Sequence, residues 1–205
     1  MSVFTFSELQ SAAKLDLNYG RTVIQKSAAI NEASRTASAL NLTKDPDSRN
    51  YDIFLSHSFK DRIAILGLKS NFENMGFSTY VDWYCDPQLN RGAVSKSTSQ
   101  QLRMRMKRAK TLIYAFSSNA AKSSWMPWEL GFADGDKSRC SILRVEDESR
   151  VQIYSGFEYL QIYPYVDEAT PKNKKNKTLW VNESSSCYVE YRQWIDGKNP
   201  TNRKA

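Results

Sequence analysis

The sequence predicts an α/β protein with a roughly five-stranded parallel sheet flanked by helices. Short apolar segments alternate with segments whose apolar residues recur at three- and four-residue steps, the spacing of an amphipathic helix. The alternation begins after a turn-rich break, TKDPDSRN at 43–50, in which Asp-Pro disfavours helix. The break predicts three parts: an N-terminal helical extension with its linker (1–49), an α/β core (50–166) and a C-terminal segment (167–205).

Short runs rich in aromatic and β-branched residues predict the strands of the core. In chain order, the predicted strands are 51–56, 77–82, 111–117 and 139–146, with 157–162 as a short fifth strand. The predicted helices are 61–76, 97–110, 123–135 and, at the end of the chain, 183–197. Gly76, Gly135 and Gly197 are expected to end three of these helices. The C-terminal segment is expected to hold a basic loop, PKNKKNK at 171–177, and a helix that packs on the core.

Composition narrows the class of protein. The 205 residues include 40% hydrophobic and 12% aromatic residues, which is enough for a sizeable core. The formal net charge of +7 favours anionic partners such as nucleotides, nucleic acid or a membrane surface. The N-terminus lacks the pattern of a secretory signal, and no apolar run approaches the ~20 residues of a membrane span. With three widely spaced cysteines as well, we expect a cytoplasmic protein without membrane contact.

Polar residues follow the first predicted strand, at the edge of the sheet where ligands bind in parallel α/β folds. The segment SHSFKD at 56–61 offers hydroxyl and backbone N–H groups to an anion. Its candidate substrate contacts are Ser56, His57, Ser58 and Phe59. Plain helix capping by Ser58 and Asp61 is an equally good interpretation.

The segment after the second strand, DWYCDPQLNRG, combines a carboxylate, two aromatic rings and a cation. Asp82 can accept hydrogen bonds from ribose hydroxyls, Trp83 and Tyr84 can stack on a base, and Arg91 can meet a phosphate. The alternative is a surface loop with an aromatic anchor folded back onto the protein.

The segment SSWMPWELGFADG places a glutamate between large aromatic residues. Pro127 suits the first turn of a helix, which puts the N-cap at Ser123 or Ser124. Glu129 then lies one turn after Trp125 on the same helix face. The positive end of the helix favours an ionised carboxylate there. In the alternative interpretation the aromatic residues are core and Glu129 is an exposed neighbour.

The sequence lacks the residues that several classes of enzyme need. His57 is the only histidine, there is no GxSxG nucleophile elbow, and no pattern of ligands suggests a metal site. Neither GxGxxG nor a Walker A sequence is present, so a dinucleotide would bind in another manner. The basic residues of RMRMKRAK at 103–110 are spread around a helix, so nucleic-acid binding is not expected.

Taken together, three segments resemble a TIR (Toll/interleukin-1 receptor) domain. YDIFLSHSFKD at 51–61 is similar to the first TIR box, and FSTYVDWYCDPQLNRG at 77–92 is similar to the second strand and the BB loop. SSNAAKSSWMPWELGFADG at 117–135 is similar to the exit of the third strand and the helix that bears the glutamate. The resemblance covers roughly 50–165 and implies a flavodoxin-like fold. It is strongest to stand-alone prokaryotic members, in particular the NAD-processing TIR subunit of Thoeris antiphage systems.

The resemblance implies an enzyme that cleaves NAD⁺ and releases nicotinamide, with Glu129 as the catalytic carboxylate. Ser123 and Trp125 match the Ser-x-Trp-x-x-x-Glu context of such enzymes. NAD⁺ is then the substrate, and no cofactor is expected. ADP-ribose, a cyclic ADP-ribose isomer and a base-exchange product all remain open as the second product.

The resemblance also implies partners. We expect self-association through TIR–TIR contacts, and an effector protein that responds to the product or a phage-derived trigger. Because some TIR domains only assemble, the alternative function is a non-catalytic adaptor that acts through TIR–TIR assembly.

Overall fold

The computed structural model describes residues 4–13, 49–86, 89, 95–146, 157–172 and 175–203. Its strands are β1 (Phe4–Thr5), β2 (Tyr51–Ser56), β3 (Thr79–Tyr80), β4 (Ala109–Phe116), β5 (Cys140–Glu146), β6 (Tyr165–Ala169), β7 (Thr178–Asn182), β8 (Cys187–Glu190) and β9 (Thr201–Asn202). Its helices are α1 (6–13), α2 (Arg62–Asn74), α3 (Asp82–Cys85), α4 (Lys96–Arg108), α5 (Trp125–Lys137) and α6 (Tyr191–Ile195). Short 3₁₀ helices cover Phe59–Asp61, Ala120–Lys122 and Glu158–Ile162. None of the described helices is both long and apolar enough to span a membrane.

All strands of the described residues join one sheet, in the order β3-β2-β4-β5-β6-β7-β8-β9, with β1 beside β5. The pairs from β3 to β6 are parallel, as predicted, and β2 has the bounds predicted from its apolar run. Their order is that of a flavodoxin-like fold, in which the ligand crevice lies where the strand order reverses. Here that point lies between β2 and β4, outside their carboxyl ends.

The two faces of the sheet carry separate cores. On one face, α1, α2 and α6 cover β2, β4 and β5, and side chains such as Leu68 and Phe72 are fully buried. On the other face, α4 and α5 pack against the sheet through residues that include Leu102, Met126 and Leu130. Because α5 packs on the face of the sheet, one of its side chains can point to the carboxyl end of β2, where the crevice lies.

Residues 4–13 pack against this core. Phe4 pairs with Val145 of β5, and Leu9 of α1 is buried in the core that α2 also lines. A Cβ at Gly67 would lie 2.1 Å from the carbonyl oxygen of Leu9, so the two helices meet backbone to backbone. The predicted helical character is confirmed for 6–13. The rest of the predicted helical extension, 14–48, lies outside the described residues, and the boundary at 49/50 remains a prediction.

Two predictions for the later part of the chain are wrong. Residues 157–162 are not a strand: Glu158–Ile162 form a 3₁₀ turn that buries Leu160, and the fifth parallel strand is β6. The predicted helix over 183–197 is instead β8 followed by the five-residue α6. In β8, Val189 pairs with Val181 of β7, so the alternation of strand residues outweighs the local helical spacing. The chain does turn at Gly197, which has φ +99°.

The predicted end of α5 is also wrong. Gly135 lies inside the helix, which continues to Lys137 and ends where Ser138 adopts a left-handed conformation with φ 51°. Tertiary contacts hold this last turn, because Lys137 Nζ donates hydrogen bonds to the carbonyl oxygens of Met106 and Ala109. Gly76, by contrast, follows α2 with φ +84°, as predicted.

Candidate active site

The start of α5 positions Glu129. Ser124 is the N-cap, and Pro127 lies in the first turn, where its missing N–H is not needed, as predicted. Ser123 supports the same turn by accepting a hydrogen bond from the Met126 amide at 3.4 Å. One turn later, the Glu129 side chain faces the sheet and is completely buried, with 0% exposure. The alternative in which Glu129 is an exposed neighbour of core aromatic residues is therefore wrong.

Ser56 holds the Glu129 carboxylate. Ser56 is the last residue of β2, is itself buried, and donates a hydrogen bond from Oγ to Glu129 Oε2 at 2.6 Å. Hydrogen bonds to a charged group are shorter and stronger than neutral ones, and burial of a carboxylate is costly without such partners. The two sequence candidates that are 73 residues apart therefore meet at the carboxyl end of β2.

Tyr114 is a further residue near Glu129, and it is not identifiable from sequence. It pairs with Ser56 across the β2–β4 ladder and is fully buried. Burial raises the pKa of Tyr114, and the neighbouring Tyr159 and the Glu129 charge raise the pKa further. Tyr114 is consequently a neutral phenol at physiological pH. It looks in sequence like one more apolar strand residue of TLIYAFS, so only the register could reveal its position.

His57 is buried and held by protein groups. Its Nδ1 lies 2.8 Å from the carbonyl oxygen of Leu55, and its Nε2 accepts a hydrogen bond from Trp83 Nε1 at 3.0 Å. Because an indole N–H only donates, the ring is assigned as the neutral Nδ1–H tautomer. Asp82 Oδ1 lies 3.3 Å from the same Nε2, so a protonated His57 would find its acceptor there. The structure thus brings His57, Asp82 and Trp83 together as one cluster.

Two aromatic side chains beside this cluster, Phe59 and Tyr84, reach the surface. The Phe59 ring is 58% exposed and meets the Trp83 ring edge-on, with the ring centres 6.5 Å apart. Tyr84 continues the row at 6.2 Å from Trp83, and Lys69 lies over its ring. These rings can meet a ligand at the mouth of the crevice. Arg91, the predicted phosphate contact, lies outside the described residues.

Ser58 and Asp61 separate in role. Ser58 caps the 3₁₀ turn by accepting a hydrogen bond from the Lys60 amide at 3.4 Å, which supports the capping interpretation for this residue. Asp61 makes no side-chain cap to α2. Its carboxylate instead accepts hydrogen bonds from Ser117 Oγ at 2.5 Å and Asn119 Nδ2 at 2.6 Å. Asp61 therefore ties the loop after β2 to the loop after β4.

A buried ion pair, also missed from sequence, anchors the start of the predicted BB loop. Arg105 Nε and a terminal guanidinium nitrogen each donate to Asp86 at 2.8 Å, and Tyr80 donates to the same carboxylate at 2.7 Å. Arg105 belongs to the basic stretch that suggested a nucleic-acid surface. Arg105 is only 2% exposed, so it is a structural residue and adds no charge to a nucleic-acid-binding surface.

Comparison with known proteins finds relatives that are named as cyclic ADP-D-ribose synthases. The chain is 43% identical over 197 residues to a Bacillus cereus (strain MSX-D12) protein named a probable 3′ cyclic ADP-D-ribose synthase, ThsB′. The match covers 95% of this chain and 98% of that protein. The chain belongs to the ThsB′ family of TIR proteins. The TIR resemblance of its three segments is thereby confirmed, as is the assignment to stand-alone prokaryotic members.

A second relative matches about half of the chain. A Cytobacillus dafuensis protein, TIR2, whose name describes it as a cyclic ADP-D-ribose synthase, is 33% identical over 101 residues. That match covers 46% of this chain and 27% of the longer protein. No protein-family model matches the chain.

Proposed function

We propose that this chain cleaves NAD⁺, releases nicotinamide and joins the remaining ADP-ribose into a cyclic isomer that serves as a signal in antiphage defence. The observation that carries the proposal is the Glu129 carboxylate, buried at the switch point of the sheet and hydrogen-bonded to Ser56 at 2.6 Å. An adaptor has no chemical need for such a group, and its burial is costly. The names of both relatives support the same activity.

Glu129 is suited to breaking the bond between nicotinamide and ribose. The leaving group is a cationic pyridinium, which departs as neutral nicotinamide with the electron pair of the C–N bond and needs no general acid. Positive charge then grows on the ribose, in a transition state that resembles an oxocarbenium ion. A preorganised carboxylate stabilises that charge and can accept hydrogen bonds from ribose hydroxyls. The step needs no metal and no cofactor.

The second half-reaction closes the ring. The name of the ThsB′ relative specifies a 3′ cyclic product, and we propose that here too a ribose hydroxyl at the adenosine end attacks the ribosyl carbon. A C–O bond replaces the lost C–N bond, and the hydroxyl proton is released. Water in the same position would give linear ADP-ribose, so the site must exclude water while it admits the hydroxyl.

Substrate access supports a role for assembly. Glu129 has 0% exposure, so NAD⁺ reaches it only if a covering side chain moves. We propose that self-association through TIR–TIR contacts favours the open arrangement, as in the enzymes that this chain resembles. Specific activity should then rise with protein concentration. Activity that is independent of concentration in a monomeric sample would contradict this part of the proposal.

The proposal also includes a cytoplasmic location, where NAD⁺ is available, and an effector protein that recognises the cyclic product. The enzyme would stay silent until a phage-derived trigger appears, because NAD⁺ consumption harms the host cell.

The test is to incubate the purified protein with NAD⁺ and to resolve the products by chromatography, with Glu129→Gln as the control. We expect one nicotinamide and one cyclic ADP-ribose isomer for each NAD⁺ consumed, and formation of both about 10²–10³ times slower in the Glu129→Gln variant. No release of nicotinamide at high protein concentration would reject the enzyme and favour the adaptor. If linear ADP-ribose is the main product, the proposed cleavage of NAD⁺ stands and the proposed ring closure is wrong.

A further inference from the structure

A groove runs along the surface between α4 and α5. Its larger part has a volume of about 630 Å³ and is lined by the first turns of both helices, including Lys96, Ser124 and Trp125. A second cavity of about 420 Å³ continues the groove along α4 and adds Lys107 and Arg108. No acidic residue lines either cavity within the part of the chain that the structure describes. The groove therefore offers positive charge to an anionic ligand.

Arg103 is common to both cavities and is held in place by aromatic rings. Its guanidinium lies 5.4 Å from the ring centre of Trp128 and 5.9 Å from that of Phe132. A guanidinium fixed against a ring keeps its N–H groups in a defined plane, and this geometry suits the oxygens of a phosphate. The side chain is nonetheless exposed to solvent, so a ligand can reach it.

One end of the groove is formed by Trp125, which lies on the same helix as Glu129. Trp125 and Trp128 line it, and Glu129 follows them on the same helix. Trp125 precedes Glu129 by about one helical turn, which is roughly 5.4 Å along the axis. In a dinucleotide the diphosphate is attached directly to the ribose that bears nicotinamide. A ribose held at Glu129 therefore places the diphosphate near the Trp125 end of the groove.

We infer that the α4–α5 groove binds the adenosine diphosphate half of the dinucleotide, with Arg103 and Lys96 as its phosphate contacts. The inference rests on the proposed function, because the ligand is the other half of the same NAD⁺ molecule. It assigns a substrate-binding role to Arg103, the first residue of the basic stretch RMRMKRAK.

The experiment measures the affinity of the full chain for ADP and for adenosine, by calorimetry or by quenching of tryptophan fluorescence. The wild-type chain should bind ADP well above adenosine, because only ADP carries the phosphates. Arg103→Ala and Lys96→Ala should each lower the ratio of the two affinities about tenfold, the usual effect of losing one hydrogen bond to a charged group. A variant that merely damages the fold would weaken both ligands and leave the ratio unchanged.

Two matched variants control for charge. Arg203→Ala removes another exposed arginine that lies over an aromatic ring, at 5.2 Å from the centre of Tyr188. Lys110→Ala removes an exposed lysine at the opposite edge of the sheet, where it pairs with Asp52. Neither should change the ratio. Equal effects of all four substitutions would overturn the inference and indicate general charge attraction.

An error in the groove assignment and an error in the proposed function would give different experimental results. If the wild-type chain cleaves NAD⁺ but Arg103→Ala keeps the wild-type KM and the wild-type ratio, the groove assignment is wrong. If ADP binding depends on Arg103 as predicted while no nicotinamide is released, the groove assignment stands as a nucleotide site and the proposed chemistry is wrong. A wild-type affinity for ADP no higher than for adenosine would also overturn the groove assignment.

Discussion

Two buried carboxylates lie at the same edge of the sheet, and their surroundings differ. Both oxygens of Asp61 accept short hydrogen bonds, from Ser117 and Asn119, and these bonds join two loops. Glu129 accepts a hydrogen bond from Ser56 on Oε2, and its charge is near enough to the buried phenol of Tyr114 to raise the pKa of that phenol. Burial alone therefore does not mark a catalytic group. The Asp61 contacts are those of a structural tie, whereas Glu129 is placed at the switch point of the fold, where ligands bind.

The largest effect on stability is expected from the structural tie. Asp61→Ala leaves the buried Ser117 hydroxyl and the Asn119 amide without their acceptor, so the free energy of unfolding should fall by about 2–4 kcal/mol. Urea unfolding measures it. A loss below about 0.5 kcal/mol, the level of an ordinary surface substitution, would remove the basis for treating Asp61 as structural.

Two serines give a matched pair that sharpens the comparison. Ser56 and Ser117 each donate to a buried carboxylate, at 2.6 and 2.5 Å. Ser56→Ala should slow nicotinamide release about tenfold, because the reacting carboxylate loses a hydrogen bond that orients it. Ser117→Ala should instead lower stability by about 1–3 kcal/mol, with little change in rate for the folded fraction. The reverse pattern would exchange the roles of the two carboxylates.

A smaller effect is expected from the phenol. Tyr114→Phe removes a buried hydroxyl beside Glu129, and we expect kcat to fall about threefold with KM unchanged, less than a full charged hydrogen bond would cost. Tyr80→Phe is the control, because its hydroxyl donates to Asp86 in the loop anchor, at 2.7 Å. That variant should lose stability rather than rate. Equal kinetic effects of the two substitutions would show that the Tyr114 hydroxyl has no role specific to the reaction.

The parallel half of the molecule is predictable from sequence, and the antiparallel half is not. The apolar run YDIFLS stands between polar segments and has the length of a strand, so β2 is predicted to the residue. In CYVEYRQWI, helical spacing and strand alternation coexist over few residues. The pairing of Val189 with Val181 of β7 selects the strand, and this contact cannot be predicted from the local sequence. A short run with both patterns also stands behind the error at 157–162. At Gly135 the cause is different, because tertiary contacts of Lys137 continue the helix past the glycine.

The candidate site divides in the same way. Glu129 is identifiable because its helix has a distinctive start, with Pro127 in the first turn and Trp125 one turn before the carboxylate. Its partner Ser56 and the neighbouring Tyr114 come from strands that are distant from it in sequence, and the tie between Asp61 and Ser117 is likewise a tertiary contact. Sequence thus predicts which carboxylate to examine, whereas the fold determines what holds it.

The most direct test compares the rate of nicotinamide release by Glu129→Gln with that by Asp61→Asn. Both substitutions change one buried carboxylate at the same sheet edge into an amide of the same shape, and the rates are corrected for the folded fraction of each variant. We predict that Glu129→Gln loses about 10²–10³ in rate, the usual effect of removing one preorganised electrostatic group, while Asp61→Asn stays within a few-fold of the wild type. Equal losses in the two variants, or a Glu129→Gln variant that retains its activity, would contradict the assignment of Glu129 as the catalytic carboxylate.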